Sequence, residues 1–168
     1  VPVVDFARES FMPGGAANVA RNLTALNVPT EIFGAIGNDD AGSRLKKLLS
    51  EQKIGCSGLL ASSARPTSVK TRIVAQQQQV VRVDRETRDG LNEQQSRHLL
   101  DALKRKIRNT AAVIVGDYGK GVVTQPLLDG IKKLCRAHGV WLSFDPKPVH
   151  HLNLSSLSLI TPNRKEAF

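Results

Sequence analysis

Four places in this chain carry side chains whose types and spacing can do chemistry. The first is Met12-Pro13-Gly14-Gly15-Ala16-Ala17-Asn18. Adjacent glycines permit positive φ and admit a ligand to the main chain. A helix starting there turns unpaired N–H groups and the positive end of its dipole toward the same space, which suits hydroxyl oxygens or an anion. Asn18, one turn on, offers both a donor and an acceptor, as a sugar diol requires. The plain alternative is a glycine turn that binds nothing. The second place is Gly116-Asp117-Tyr118-Gly119-Lys120-Gly121. Asp117 can accept from a sugar hydroxyl and Lys120 can hold a phosphate, the alternative being a loop ion pair. Third, Lys70 and Arg72 stand two apart in an alternating stretch, so their charges point the same way and suit a phosphate, or else form a solvated strand face. Fourth, Asn163 and Glu166 are three apart, the spacing of one helix face and also of a capping pair.

The elements around these places are legible from periodicity. Residues 1–8 alternate weakly and predict a strand. A helix is predicted from about Gly15 to Leu26, with Ala17, Ala20, Leu23 and Leu26 on its apolar face. Thr30 to Ile36 is a buried strand. Gly37-Asn38-Asp39-Asp40 turns into a second helix facing Leu45, Leu48 and Leu49 inward and stopping at Gly55. The stretches 67–74 and 80–85, joined by glutamines, have a period of two with one apolar and one charged face, the pattern of a half-wet antiparallel patch. A helix follows from Asn92 to about Arg108, then the apolar strand 111–115, a helix from Thr124 to His138, and strands at 140–144 and 157–160. Short apolar strands alternating with amphipathic helices predict βαβ units and a parallel sheet. Ligands of such sheets bind beyond the carboxyl ends of the strands, where each polar cluster falls.

Composition narrows the classes. The 168 residues are 40% apolar and 23% charged, an ordinary globular balance. No apolar run approaches a membrane span, so no membrane partner is expected. The net charge of +9 raises the question of nucleic acid. However, the cluster at 104–108 closes a helix, where it complements the dipole. Aromatics at 4% are too few for a stacking platform. Attraction of phosphorylated small molecules is the better use of the charge, and no nucleic-acid partner is expected. Cys56 and Cys135 have no ligands at metal spacing and read as buried, reduced thiols of a cytoplasmic protein. His150 and His151 point to different sides and read as surface residues. With no initiator Met and a stop just after a helix start, the chain reads as a piece of a longer protein.

Gly14-Gly15-Ala16-Ala17-Asn18, with Asn27 and Gly37 at their spacings, resembles the first signature of the PfkB (ribokinase-like) carbohydrate kinases. Asn27 stands where that family usually has Gly or Ser, a mild exchange because Asn is next best at the left-handed end of a helix. The loop from Asp117 to Gly121 looks like that of the kinases that phosphorylate the 1-position of heptose 7-phosphate. The stretches 65–72 and 79–85 continue that resemblance, as does Asp145-Pro146-Lys147. Pro148 departs from it, standing where Gly is more frequent and removing an N–H.

The resemblance covers essentially the whole chain and implies an α/β, ribokinase-like fold. Residues 1–168 would be the central part of one sugar-kinase domain, incomplete at both ends. A parallel sheet would be flanked by helices on both faces, and a small antiparallel β lid would be built from residues 1–8 and 66–85. It further implies ATP and Mg2+ as cosubstrates and a phosphorylated sugar as substrate. Gly14, Gly15, Asn18, Asp117 and Lys120 would hold the sugar, and Lys70 and Arg72 its phosphate. Asn163 and Glu166 would serve the nucleotide side, with Glu166 reaching a metal through water. The family takes its catalytic base from a later Gly-x-Gly-Asp segment, which does not occur in these residues, and Gly116-Asp117 lacks the preceding glycine. The base is therefore expected beyond Phe168, and residues 1–168 alone are expected to be inactive or nearly so. The alternatives are a ribokinase- or fructokinase-type enzyme for another sugar and, in a different class, a basic polyanion-binding module. A free lid edge makes a homodimer through the lid plausible.

Overall fold

The computed structural model describes residues 3–147, 152–164 and 166–167. In chain order the elements are α1 (Ala16–Ala25), β1 (Glu31–Gly37), α2 (Asp40–Glu51), β2 (Gly55–Ser62), β3 (Val69–Ala75), β4 (Gln78–Arg85), α3 (Glu93–Lys106) with a 3-10 turn at Ile107–Asn109, β5 (Ala112–Gly116), α4 (Gln125–His138), β6 (Trp141–Asp145) and β7 (Leu159–Ile160). The parallel strands form two hydrogen-bonded groups, β1-β2 and β5-β6-β7, and β3-β4 is a separate antiparallel hairpin.

Side-chain alternation places helices on both faces of β1-β2. Ile32 packs with Ala17 and Ala20 of α1 and Leu49 of α2, whereas Phe33, Ala35 and Leu60 pack toward the larger core of α3 and α4. That core centres on Leu128 and Phe144, which are almost completely buried, together with Leu99, Leu103, Leu127 and Leu142. One face of the β5-β6-β7 group packs on that core through Val115, Leu142 and Phe144. Its other face is open at Ile114, Trp141 and Leu159, each about half exposed.

Three helices end in the same way. At α1, Asn27 takes φ 60, its N–H donates to Thr24 O, and Val28 N–H donates to Leu23 O at 3.0 Å, so the expected left-handed Asn is present. Gly139 closes α4 likewise. At α2 the left-handed residue is Lys53 (φ 58), with Ile54 N–H donating to Leu49 O. Gly55 is therefore not the helix stop: it opens β2, a strand that the sequence pattern does not announce.

Three further expectations are corrected. Residues 3–8 form no strand; Val3 and Phe6 are exposed, and nothing among the described residues pairs with them. Leu26, the residue that closes α1, is 74% exposed and packs against neither buried cluster. The last strand is only Leu159–Ile160. Pro148, His150 and His151 lie outside the described residues.

Candidate functional site at the carboxyl ends of the strands

The glycine pair and the loop after β5 meet. Gly15 takes φ 52 and ψ −132, backbone that is in practice open only to glycine, and a Cβ there would lie 3.5 Å from the Tyr118 ring. The same ring crosses Gly116, where a Cβ would come within 2.9 Å of it. Tyr118 is thus the contact between α1's N-terminus and the loop, a role not assigned to it from sequence. Its hydroxyl is held above the usual range by burial and by the Asp145 carboxylate. Gly14 is open, with nothing within 4 Å of where a Cβ would sit, and Asn18 is exposed on the first turn of α1.

The loop itself is fixed from several sides. Asp117 is buried, its N–H donates to Asp145 O, and its Oδ1 accepts from Gly119 N–H at 2.8 Å. Gly121 takes φ 73, and a Cβ there would fall 1.9 Å from Asp89 O. Leu91 N–H donates to Gly121 O, and the Arg65 guanidinium donates to Lys120 O at 2.6 Å. The backbone that follows the hairpin therefore runs against the site loop.

The hairpin's charged face matches the register. Lys70 pairs across from Asp84, and Arg72 from Arg82, so all four share one side. Lys70 Nζ donates to Asp84 Oδ2 at 2.7 Å and to Glu86 Oε2 at 3.1 Å. These carboxylates, Asp84 first, hold the Lys70 ammonium above its ordinary range. Lys120 Nζ donates to the other oxygen, Glu86 Oε1, at 2.5 Å. Glu86 therefore joins Lys70 and Lys120, two residues singled out from sequence. It is the residue sequence reasoning missed, and it stands one position beyond the alternating stretch that ends at Arg85. Arg72 is exposed and forms no ion pair with the described residues.

The hairpin is rooted in the body by a polar joint. Asp39 caps α2 by accepting from Gly42 N–H, and it also accepts from Thr67 Oγ1 at 2.6 Å and Thr67 N–H at 3.0 Å. Thr67 Oγ1 in turn accepts from Gly37 N–H. These bonds, led by that from the Thr67 hydroxyl, hold the Asp39 carboxyl below the usual range. A Cβ on Gly37 would fall 2.5 Å from Thr67 N, so the joint demands glycine there.

Asn163 and Glu166 adopt the capping arrangement. Asn163 N–H donates to Glu166 Oε2 at 2.8 Å, and Glu166 N–H donates to Asn163 Oδ1 at 3.2 Å. Among the described residues no group of three His, Cys, Asp or Glu could hold a metal. A separate basic cleft flanked by Lys132, Lys133 and Arg136 lies along α4 and shares no residue with the site. No helix among the described residues is long and apolar enough to cross a membrane.

An α/β body of parallel strands, a small antiparallel hairpin and polar loops at the strand ends together make the fold ribokinase-like. A solved structure of Arabidopsis thaliana ribokinase complexed with ribose and ATP superposes with a TM-score of 0.66 at 17% identity, covering 92% of this chain and 49% of that one. The family model of the pfkB carbohydrate kinases matches residues 2–168, and the chain belongs to that family. Among its relatives, the bifunctional protein HldE of Helicobacter pylori (strain J99) is 43% identical over 166 residues, and that of Sulfurimonas denitrificans is 36% identical over 167. Each comparison spans 99% of this chain, which covers only 36% and 35% of the length of those relatives.

Proposed function

We propose that these residues form the sugar-binding part of a kinase that transfers the γ-phosphate of ATP to the 1-hydroxyl of D-glycero-β-D-manno-heptose 7-phosphate. The reaction would serve ADP-heptose and lipopolysaccharide precursor synthesis in the cytoplasm. The observation that carries the reading is one continuous set of contacts: Gly15 against Tyr118, the Tyr118 loop to Lys120, and Lys120 through Glu86 to Lys70. It supports the reading because groups suited to hydroxyls and groups suited to a phosphate belong to one set of contacts. Gly14, Gly15, Asn18 and Asp117 address the sugar, and Lys70, Arg72 and Lys120 its phosphate.

Asn163 and Glu166 serve the nucleotide side. Their mutual bonds fix the carboxylate through Oε2, and a lone carboxylate fits Mg2+, which keeps several waters and takes its other ligands from phosphates. The ion would neutralise phosphate charge during transfer. The catalytic base lies outside these residues, so residues 1–168 alone would bind sugar without turnover. The exposed face bearing Thr71, Val81 and Val83 supports pairing of two lids in a homodimer.

Calorimetric titration of the full-length protein tests this. Heptose 7-phosphate should bind at least about tenfold more tightly than heptose itself, a difference of about 1.4 kcal/mol. ADP release should require both sugar phosphate and Mg-ATP. Equal affinity for the two sugars, or preference for an unphosphorylated one, would move the assignment to a ribokinase- or fructokinase-type enzyme. Salt-sensitive nucleic-acid binding without sugar binding would point to a basic module.

A further inference from the structure

We propose that Glu86 is a specificity-determining residue, an internal counter-anion whose carboxylate holds the space between Lys70 and Lys120 until a substrate phosphate displaces it. The proposal rests on the reading of this place as a sugar-phosphate site. Cations from three segments converge on one carboxylate: Lys120 on Oε1 at 2.5 Å, Lys70 on Oε2 at 3.1 Å, and Arg88 at 4.0 Å from Oε1. The Glu86 side chain is only 14% exposed, although it directly follows strand β4, which is exposed throughout.

Neither lysine needs Glu86 to stay where it is. Lys120's carbonyl is held by Arg65, and the neighbouring Gly121 carbonyl by Leu91 N–H. Lys70 keeps its place in the ladder and its bond to Asp84. Removing the carboxylate therefore leaves two positioned ammonium groups without their shared partner, which is what an anion site looks like when its anion leaves. The lysines, Lys120 first, hold the Glu86 carboxyl below its ordinary range, so it is charged whenever a phosphate arrives.

The consequence is a threshold. A singly charged anion gains nothing by replacing a carboxylate that already sits between two lysines. A phosphate monoester, with nearly two charges and three acceptor oxygens, gains in both charge and hydrogen bonds. A sugar without phosphate leaves Glu86 in place.

The test uses the full-length protein and steady-state kinetics with heptose 7-phosphate, with the KM for ATP as internal reference. Glu86→Gln keeps the shape and removes the charge. It should lower the KM for the sugar phosphate about threefold to tenfold, the range expected when two partly exposed ion pairs no longer compete. It should also turn acetate, a monoanion, into a measurable competitive inhibitor. Glu86→Asp, which keeps the charge, should stay within about twofold of the unsubstituted protein. A KM that rises or does not move in Glu86→Gln, or falls equally in Glu86→Asp, overturns the proposal. Lys120→Met separates the two levels of the argument. If it leaves the KM for the sugar phosphate unchanged, the site reading itself is wrong, whereas a raised KM there with no gain in Glu86→Gln condemns only the role of Glu86.

Discussion

The body and the hairpin are held by different forces. In the body, Leu49, Leu128 and Phe144 have almost no exposed surface, and the site loop is packed so closely that Gly121 has no room for a methyl group. In the hairpin, every residue of β4 is exposed, and the contacts along its charged face are ion pairs, Lys70–Asp84, Arg82–Asp84 and the two lysines on Glu86. Packing fixes atoms within tenths of an ångström and yields only to mutation. Partly exposed ion pairs are worth little each and can be exchanged for a ligand's charge. The difference suits the proposed site, in which a sugar ring would need a rigid wall and a phosphate would need groups that can change partner.

Gly121→Ala is the largest expected break in the body. The new Cβ would overlap Asp89 O, and a left-handed φ of 73 adds strain of its own. Together these should cost about 3–5 kcal/mol. Urea unfolding should show a markedly lower midpoint, or the variant should fail to fold. Gly14→Ala is the control, since nothing lies within 4 Å of the added atom and φ is not positive. Comparable loss in both variants would mean that packing does not distinguish these two loops.

The joint between the regions comes next. Asp39→Ala removes the α2 cap and both bonds to Thr67, with an expected loss of about 2 kcal/mol. The pH dependence follows from the sign of the shift. Asp39's carboxyl is held below its ordinary value of 3.8, so its contribution is fully present above that value and is lost as pH falls through the lower, folded one. The stability gap between the parent and Asp39→Ala should therefore be constant from neutral pH down to about 5 and narrow below about 4. A gap that persists unchanged at pH 2 would show that the charge plays no part in the joint.

How far sequence reached divides along similar lines. α4 was legible because its signals are local: the Thr124 cap and Leu127, Leu128 and Ile131 on the buried face. β2 was not, because two glycines and two serines in eight residues show no apolar alternation. Gly58 is there to admit the Phe33 ring, which a Cβ would approach to 2.2 Å, and that requirement comes from the neighbouring strand. Lys53 carries no sign of its left-handed turn, so Gly55 took the credit. In the site, Gly15, Asp117, Lys120 and Lys70 stood out by type and spacing. Glu86's pairing depends on where the hairpin comes to rest against a loop 34 residues on, which no local pattern records. Asn163 and Glu166 were legible both as a capping pair and as ligands, and their reciprocal bonds are those of the cap.

The smallest expected effect falls on the hairpin turn and sharpens the comparison most. Gln76 and Gln77 form a two-residue loop with φ of 49 and 65, the positive values of a type I′ turn, where Asn-Gly is strongly preferred and Gln is not. Replacing them with Asn and Gly should stabilise the hairpin by about 1 kcal/mol by relieving that strain. If the hairpin opens independently of the body, the gain appears as slower amide hydrogen exchange in β3 and β4 alone, with the unfolding midpoint nearly unmoved. If exchange slows equally across α4 and β6, the hairpin unfolds only together with the body. Its ion pairs would then be part of global stability and not a separately released element. The same measurement repeated at high salt weighs the two forces directly. Screening should speed exchange in β3 and β4, whose charges lie at the surface, and leave the protected amides around Leu128 and Phe144 nearly where they were.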